Sequence, residues 1–153
     1  MYLTAHSSAG VLIAAKFVNP WLAFVLGFLS HYVLDMIPHG EENIFDKKYH
    51  RINYRSLIKA LTIDFIILIL YIYFIMTKLE VNQITLLAAV FGTVLPDLIW
   101  GFYYLTKWKI LKWPTKMHNY LHMLIKHRQL PLSYGLVIQS LTLIVFTLIA
   151  FSI

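Results

Sequence analysis

Apolar residues gather into five runs along this chain, over about residues 3–17, 20–37, 57–77, 84–105 and 132–153. Each run is expected as a helix. The last three are roughly 20 residues long, enough to cross about 30 Å of hydrocarbon. The first is shorter, near 15 residues, and suits a tilted or re-entrant helix better than a full crossing. Asn19-Pro20 makes a tight break between the first two runs, with the proline tolerated at a helix start. Between the fourth and fifth runs, Trp108 and Trp113 are interleaved with lysines, the pattern of an interfacial amphipathic connector near residues 106–128. The expected fold is all-α, an integral membrane bundle of four to five helices plus that connector, in a single domain over residues 1–153.

Composition strengthens the membrane reading. Hydrophobic residues make up 59% of the chain and charged residues 13%, about half the usual share near 25%. The mean hydropathy is +0.69. Cysteine is absent, which excludes disulfides and thiolate metal sites, so any metal must be held by nitrogen and oxygen. No cleavable signal peptide is expected, because no basic region precedes the first run and that run already carries His6. The net charge of +6 raises the question of nucleic acid, but its distribution answers otherwise. Following the chain through its crossings, every basic residue except Lys16 and Lys78 falls on one side. The positive-inside rule makes that side cytoplasmic; no nucleic-acid partner is expected.

Against this apolar background a few ionisable residues stand out. His31 and Asp35 are four residues apart at the end of the second run, on one helix face, with His39 a further four residues on but diverted by Pro38. Metal coordination is one use of such a pair, and an Asp–His hydrogen bond at a helix end is the other. His118 and His122 have the imidazole spacing of helical zinc sites, although Asn119 stands where a metalloprotease would carry its glutamate. They also fit a solvated interfacial face. Asp97 follows Pro96, which removes an amide and disturbs the helix one turn back. A carboxylate at such depth needs a cation, a proton or a histidine beside it.

Asp64, deep in the third run, suits a partner for a metal-bound histidine or a hydrogen bond to another helix. His6 suits a further ligand or an interfacial histidine, with Ala9 and Gly10 allowing close helix approach. Placed in their helices, His6, His31, Asp35, Asp64, Asp97, His118 and His122 lie roughly 5–12 Å below, or at, the same basic surface. His39 and His50 are the least secure members of that cluster. Glu41, Glu42 and Asp46 read as solvated loop charges, and His50 and His127, amid lysine and arginine, as surface residues or lipid-headgroup contacts.

With these residues in place the chain resembles the bacterial membrane-bound metal-dependent hydrolases, the inner-membrane hydrolases of the LexA-binding type. The matching pieces are His6-Ser7 with Gly10, the segment Gly27-Phe28-Leu29-Ser30-His31-Tyr32-Val33-Leu34-Asp35, Leu95-Pro96-Asp97, and His118 with His122. The chain departs from the family in reading His118-Asn119 where His-Arg is usual, and in placing Leu-Pro-Asp after the Ser-His-Asp element. The resemblance implies a divalent-metal hydrolase of the inner membrane.

The expected site therefore has His31, Asp35, His118 and His122 as ligands, completed by His6 and Asp97 and holding one or two divalent ions. Zinc is favoured by imidazole with carboxylate, with manganese or iron as alternatives. Metal-activated water would attack a phosphoester, with Asp97 or Asp64 accepting the proton. The expected partner is a membrane lipid or lipid-linked substrate. The competing expectation is a non-catalytic metal-binding or transport protein using the same cluster.

Overall fold

A computed structural model describes residues 1–39, 45–46, 51–52, 54–123 and 131–153, excluding the side chains of 45–46, 51–52, 54, 56–57 and 122–123. The described chain folds into six helices: α1 (Leu3–Lys16), α2 (Pro20–Asp35), α3 (Tyr54–Lys78), α4 (Gln83–Thr106), α5 (Lys112–Met123) and α6 (Leu132–Ser152). A single 3₁₀ turn at Lys109–Leu111 leads into α5. Between α2 and α3 lies a two-residue antiparallel pairing of Phe45–Asp46 with Arg51–Ile52. Five helices coincide with the five apolar runs. The sixth, α5, is the second half of the expected connector.

Local chemistry sets several boundaries. Asn19 accepts hydrogen bonds from the amides of Trp21 and Leu22, capping α2 directly before Pro20. Asn82 caps α4 in the same way through the amide of Thr85. At its other end α4 stops at Lys107, whose φ of 56° is left-handed and whose amide bonds back to the carbonyl of Tyr103.

Three helical spans, Ile58–Lys78, Gln83–Thr106 and Leu132–Ser152, are long and apolar enough to cross a membrane, and α2 is a shorter apolar helix. Burial is inverted relative to a water-soluble bundle. Trp21, Val25, Leu29 and Val33 form an exposed stripe on α2, whereas His31 and Asp35 are buried. On α3, Ile66, Ile67, Leu70 and Tyr73 are exposed, while Asp64 is not.

The centre of the bundle is α1. It packs against α2, α3, α4 and α6, and residues 3 to 11 are all buried. Its own side chains make that fit possible. Ser7 and Ser8 donate to the carbonyls of Leu3 and Ala5 within the helix, so their hydroxyls are satisfied at little volume. Gly10 lies so close to α4 that a Cβ there would be 2.9 Å from the amide nitrogen of Val90. Helices α2 and α4 mesh still more closely. A methyl group on Gly27 would overlap the carbonyl oxygen of Ala89, and one on Gly92 would overlap the carbonyl oxygen of Phe24. Small residues at a helix crossing let backbones approach in this manner.

Candidate metal centre

Helices α2 and α4 run in the same direction, so their meshed glycines also fix the register of the residues just beyond them. One turn after Gly27 comes His31, and one residue after Gly92 comes Thr93. His31 Nδ1 lies 2.7 Å from the carbonyl oxygen of Thr93. A carbonyl only accepts, so Nδ1 carries the proton and donates, leaving Nε2 of the neutral ring with a lone pair. The receiving carbonyl lies in the turn that Pro96 disturbs by withholding an amide from Gly92.

His31 Nε2 faces Asp35 Oδ2 at 3.0 Å, and both side chains are almost wholly buried. With the ring neutral, two acceptors face each other there, and neither atom has another hydrogen-bond partner among the described residues. Only a proton or a cation between them makes that contact favourable. His118, brought over by α5, places its Nε2 3.7 Å from Asp35 Oδ2 and 3.7 Å from Asp97 Oδ1. His31 Nε2 is 3.8 Å from the same Asp97 oxygen.

His31, Asp35, Asp97 and His118 thus offer four ligand atoms, all within 4.8 Å of one another. Donors roughly 2.0–2.2 Å from a tetrahedral zinc stand about 3.3–3.6 Å apart. Four of the six separations run from 3.0 to 3.8 Å and bracket that range, within a group whose full spread is 4.8 Å. Two imidazoles and two carboxylates are also the donor types that a cysteine-free site must use.

His6 is completely buried and stacks on His31 with ring centroids 4.1 Å apart. Its Nε2 is 3.1 Å from Asp35 Oδ1 and 3.9 Å from Asp97 Oδ2. His122 is on α5, but its side chain lies outside the described residues, as do the side chains of His50, Asp46, Glu41, Glu42 and His127.

Asp64 does not join the group. Its oxygens accept from the amides of Leu3 at 2.6 Å and Thr4 at 3.2 Å, and from the Thr4 hydroxyl at 2.6 Å. It is a cap for α1 supplied by α3. Of the two sequence expectations for Asp64, the hydrogen bond to another helix is the one that the structure shows, its carboxylate accepting from the orphan amides of a buried helix start. Asp97 differs: its side chain is 23% exposed, against 1% for Asp35, so the pocket opens past Asp97.

No family model, curated protein or solved structure matches this chain. The geometry therefore carries the functional reading. It also involves residues that the sequence left in the background. His39 is buried, donates from Nδ1 to the carbonyl of Ile37, and turns Nε2 to the Met1 amine nitrogen at 2.8 Å. That amine nitrogen is also 2.8 Å from Asp35 Oδ1. Gln139 of α6 accepts from the Tyr2 amide and donates to the carbonyl of His39, tying both chain segments to the bundle. As the one amide in the last apolar run, it was the signal available. Trp100 donates from Nε1 to Asn119 at 2.8 Å, fastening α5 to α4 beside His118. Asn119, at the position where the resembled family carries arginine, here has this positioning task.

Proposed function

We propose that this protein is a membrane-embedded, metal-dependent hydrolase that acts on a phosphoester or lipid headgroup at the cytoplasmic face of the inner membrane. The observation that supports this best is the buried His31 Nε2–Asp35 Oδ2 contact at 3.0 Å, acceptor against acceptor, beside Asp97 and His118. His31, Asp35, Asp97 and His118 would hold a divalent cation, with zinc suited to the donor set. When bound, such an ion lowers the pKa of water and polarises a phosphoryl oxygen.

The chain's own groups supply the rest. Thr93 fixes the tautomer and plane of His31 through its carbonyl, as a partner behind a ligating imidazole does. Asp97 stands at the opening, where it meets substrate and takes the proton released there. The site is recessed: Asp97 lies nine residues before the end of α4, about 13 Å along the axis. Exposed Lys107, Lys109, Lys112 and Lys116 lie on the segment that carries His118, and would draw an anionic headgroup to the mouth. The resemblance to the membrane-bound metal-dependent hydrolases agrees with this assignment.

A transport role is less well supported. Beyond the His/Asp group the interior is closed by Val11, Ala14, Ala23, Ile75, Leu86, Ala89 and Val90. An ion path would need polar groups where these residues pack.

The test is metal analysis of detergent-purified protein, followed by turnover of a chromogenic phosphodiester and of phosphatidylglycerol. Bound zinc with turnover, both lost in Asp35→Ala, is the expected result. An Asp35→Ala protein that keeps its full metal content would refute the assignment. Metal binding without turnover of any phosphoester would favour the non-catalytic reading.

A further inference from the structure

The two oxygens of Asp35 face different imidazoles. Oδ2 is turned to His31 at 3.0 Å, and Oδ1 to His6 at 3.1 Å. Asp97 repeats the division more loosely, with Oδ1 3.8 Å from His31 and Oδ2 3.9 Å from His6. The His6 and His31 rings are stacked, inclined by 23° with centroids 4.1 Å apart, and both Nε2 atoms face the Asp35 carboxylate. A metal lies in the plane of the imidazole that binds it. Two ions held by two such rings would therefore be separated by about the ring spacing, and paired catalytic cations stand roughly 3.5–4 Å apart.

The alternative use of His6 is a simple hydrogen bond from Nε2 to Asp35. Either use leaves His6 Nδ1 without a hydrogen-bond partner among the described residues, on a ring with no exposure at all, so the choice rests on where Nε2 points, 3.1 Å from Asp35 and 3.9 Å from Asp97. Burying a histidine in this state costs free energy that a packing residue would not.

Resting on the metal-centre reading above, we propose that the pocket holds a second divalent cation, bound by His6 and bridged to the first through the carboxylates of Asp35 and Asp97. The His31–His118 side forms one position and the His6 side the other. Asp35 is the tighter bridge because it is buried and close to both rings. Asp97 is the looser one and lies at the opening, where a carboxylate can serve the ions and the substrate in turn. The Met1 nitrogen already lies 2.8 Å from Asp35 Oδ1, so a cation on the His6 side would have to displace it from that oxygen.

The experiment is metal stoichiometry on the purified, chelator-stripped full chain titrated with Mn²⁺, read by elemental analysis and by electron paramagnetic resonance. Wild type is expected to take up two ions per chain with a spin-coupled spectrum. His6→Ala and the bulkier His6→Gln are expected to take up one ion, with the spectrum of an isolated Mn²⁺. Wild type binding a single, uncoupled ion overturns this inference while leaving the metal-centre reading intact. Wild type binding none overturns both. If His6→Ala does not fold, His6→Gln and the wild-type spectrum decide. Two coupled ions retained in His6→Gln would overturn the assignment of His6.

Discussion

Gly27→Ala tests whether the packing of α2 on α4 builds the proposed metal site. The added methyl would overlap the carbonyl oxygen of Ala89 and stand 3.3 Å from the amide of Thr93, both of them backbone. Backbone cannot swing aside as a side chain can. To restore ordinary carbon contacts of about 3.5 Å, α2 must withdraw by roughly 1 Å. That movement would stretch the His31–Thr93 hydrogen bond from 2.7 Å well past the limit near 3.2 Å. Overpacking costs about 1–3 kcal/mol and the lost bond about 0.5–1.5 kcal/mol. Better helix propensity returns up to about 1 kcal/mol. The net loss is on the order of 2 kcal/mol, and removing the group that orients a ligating histidine weakens metal about 10–100-fold. Both effects are measurable, by thermal unfolding in detergent and by competitive zinc titration. Gly101→Ala is the control, since a Cβ there meets nothing within 4 Å; it should leave metal affinity unchanged. Gly27→Ala with wild-type stability and zinc affinity would refute the reasoning.

Saturating zinc should stabilise wild type by about 2.7 kcal/mol at a hundredfold excess over Kd, and a chelator should abolish the gain; an unfolding curve indifferent to zinc would exclude this site. Asp64→Ala should lose about 1–3 kcal/mol by stranding the amides of Leu3 and Thr4, and Asp64→Asn less. Both should keep the wild-type metal content, so metal loss without destabilisation would return Asp64 to the site. Trp100→Phe and Asn119→Ala should each cost about 0.5–1.5 kcal/mol, and their combination no more than the larger single change. Additive costs in that cycle would show that the Trp100–Asn119 bond does not hold α5.

The apolar runs revealed five helices because length and continuous hydropathy specify a helix almost without regard to its neighbours. Position along each run then gave depth, which is why His6, His31, Asp35, Asp97 and His118 could be grouped from the sequence alone. Depth does not give azimuth, however. Asp64 lies at the same level as the others but faces the start of α1, and no spacing rule distinguishes those two directions. His39 is carried off the α2 helix by Pro38, so helical periodicity could not follow it back to Asp35 through the Met1 nitrogen. Thr93 acts through a backbone carbonyl, which side-chain identity cannot announce. The central place of α1 depends on Ser7, Ser8 and Gly10 being small, a signal that reads equally well as a weak span.

The position of α1 bears on the order in which this molecule can be made. Its amides are capped by Asp64 of α3, and the residue preceding it is bonded to Gln139 of α6. With 14 residues, or about 21 Å, it is too short to settle alone across a bilayer. Helix α1 is therefore made before the helices that complete its surroundings: its cap arrives with α3 and the anchor of Tyr2 with α6, whereas the Asp35 partner of His6 is present once α2 is made. Truncations that remove Gln139 should then disturb Tyr2 at the opposite end of the sequence.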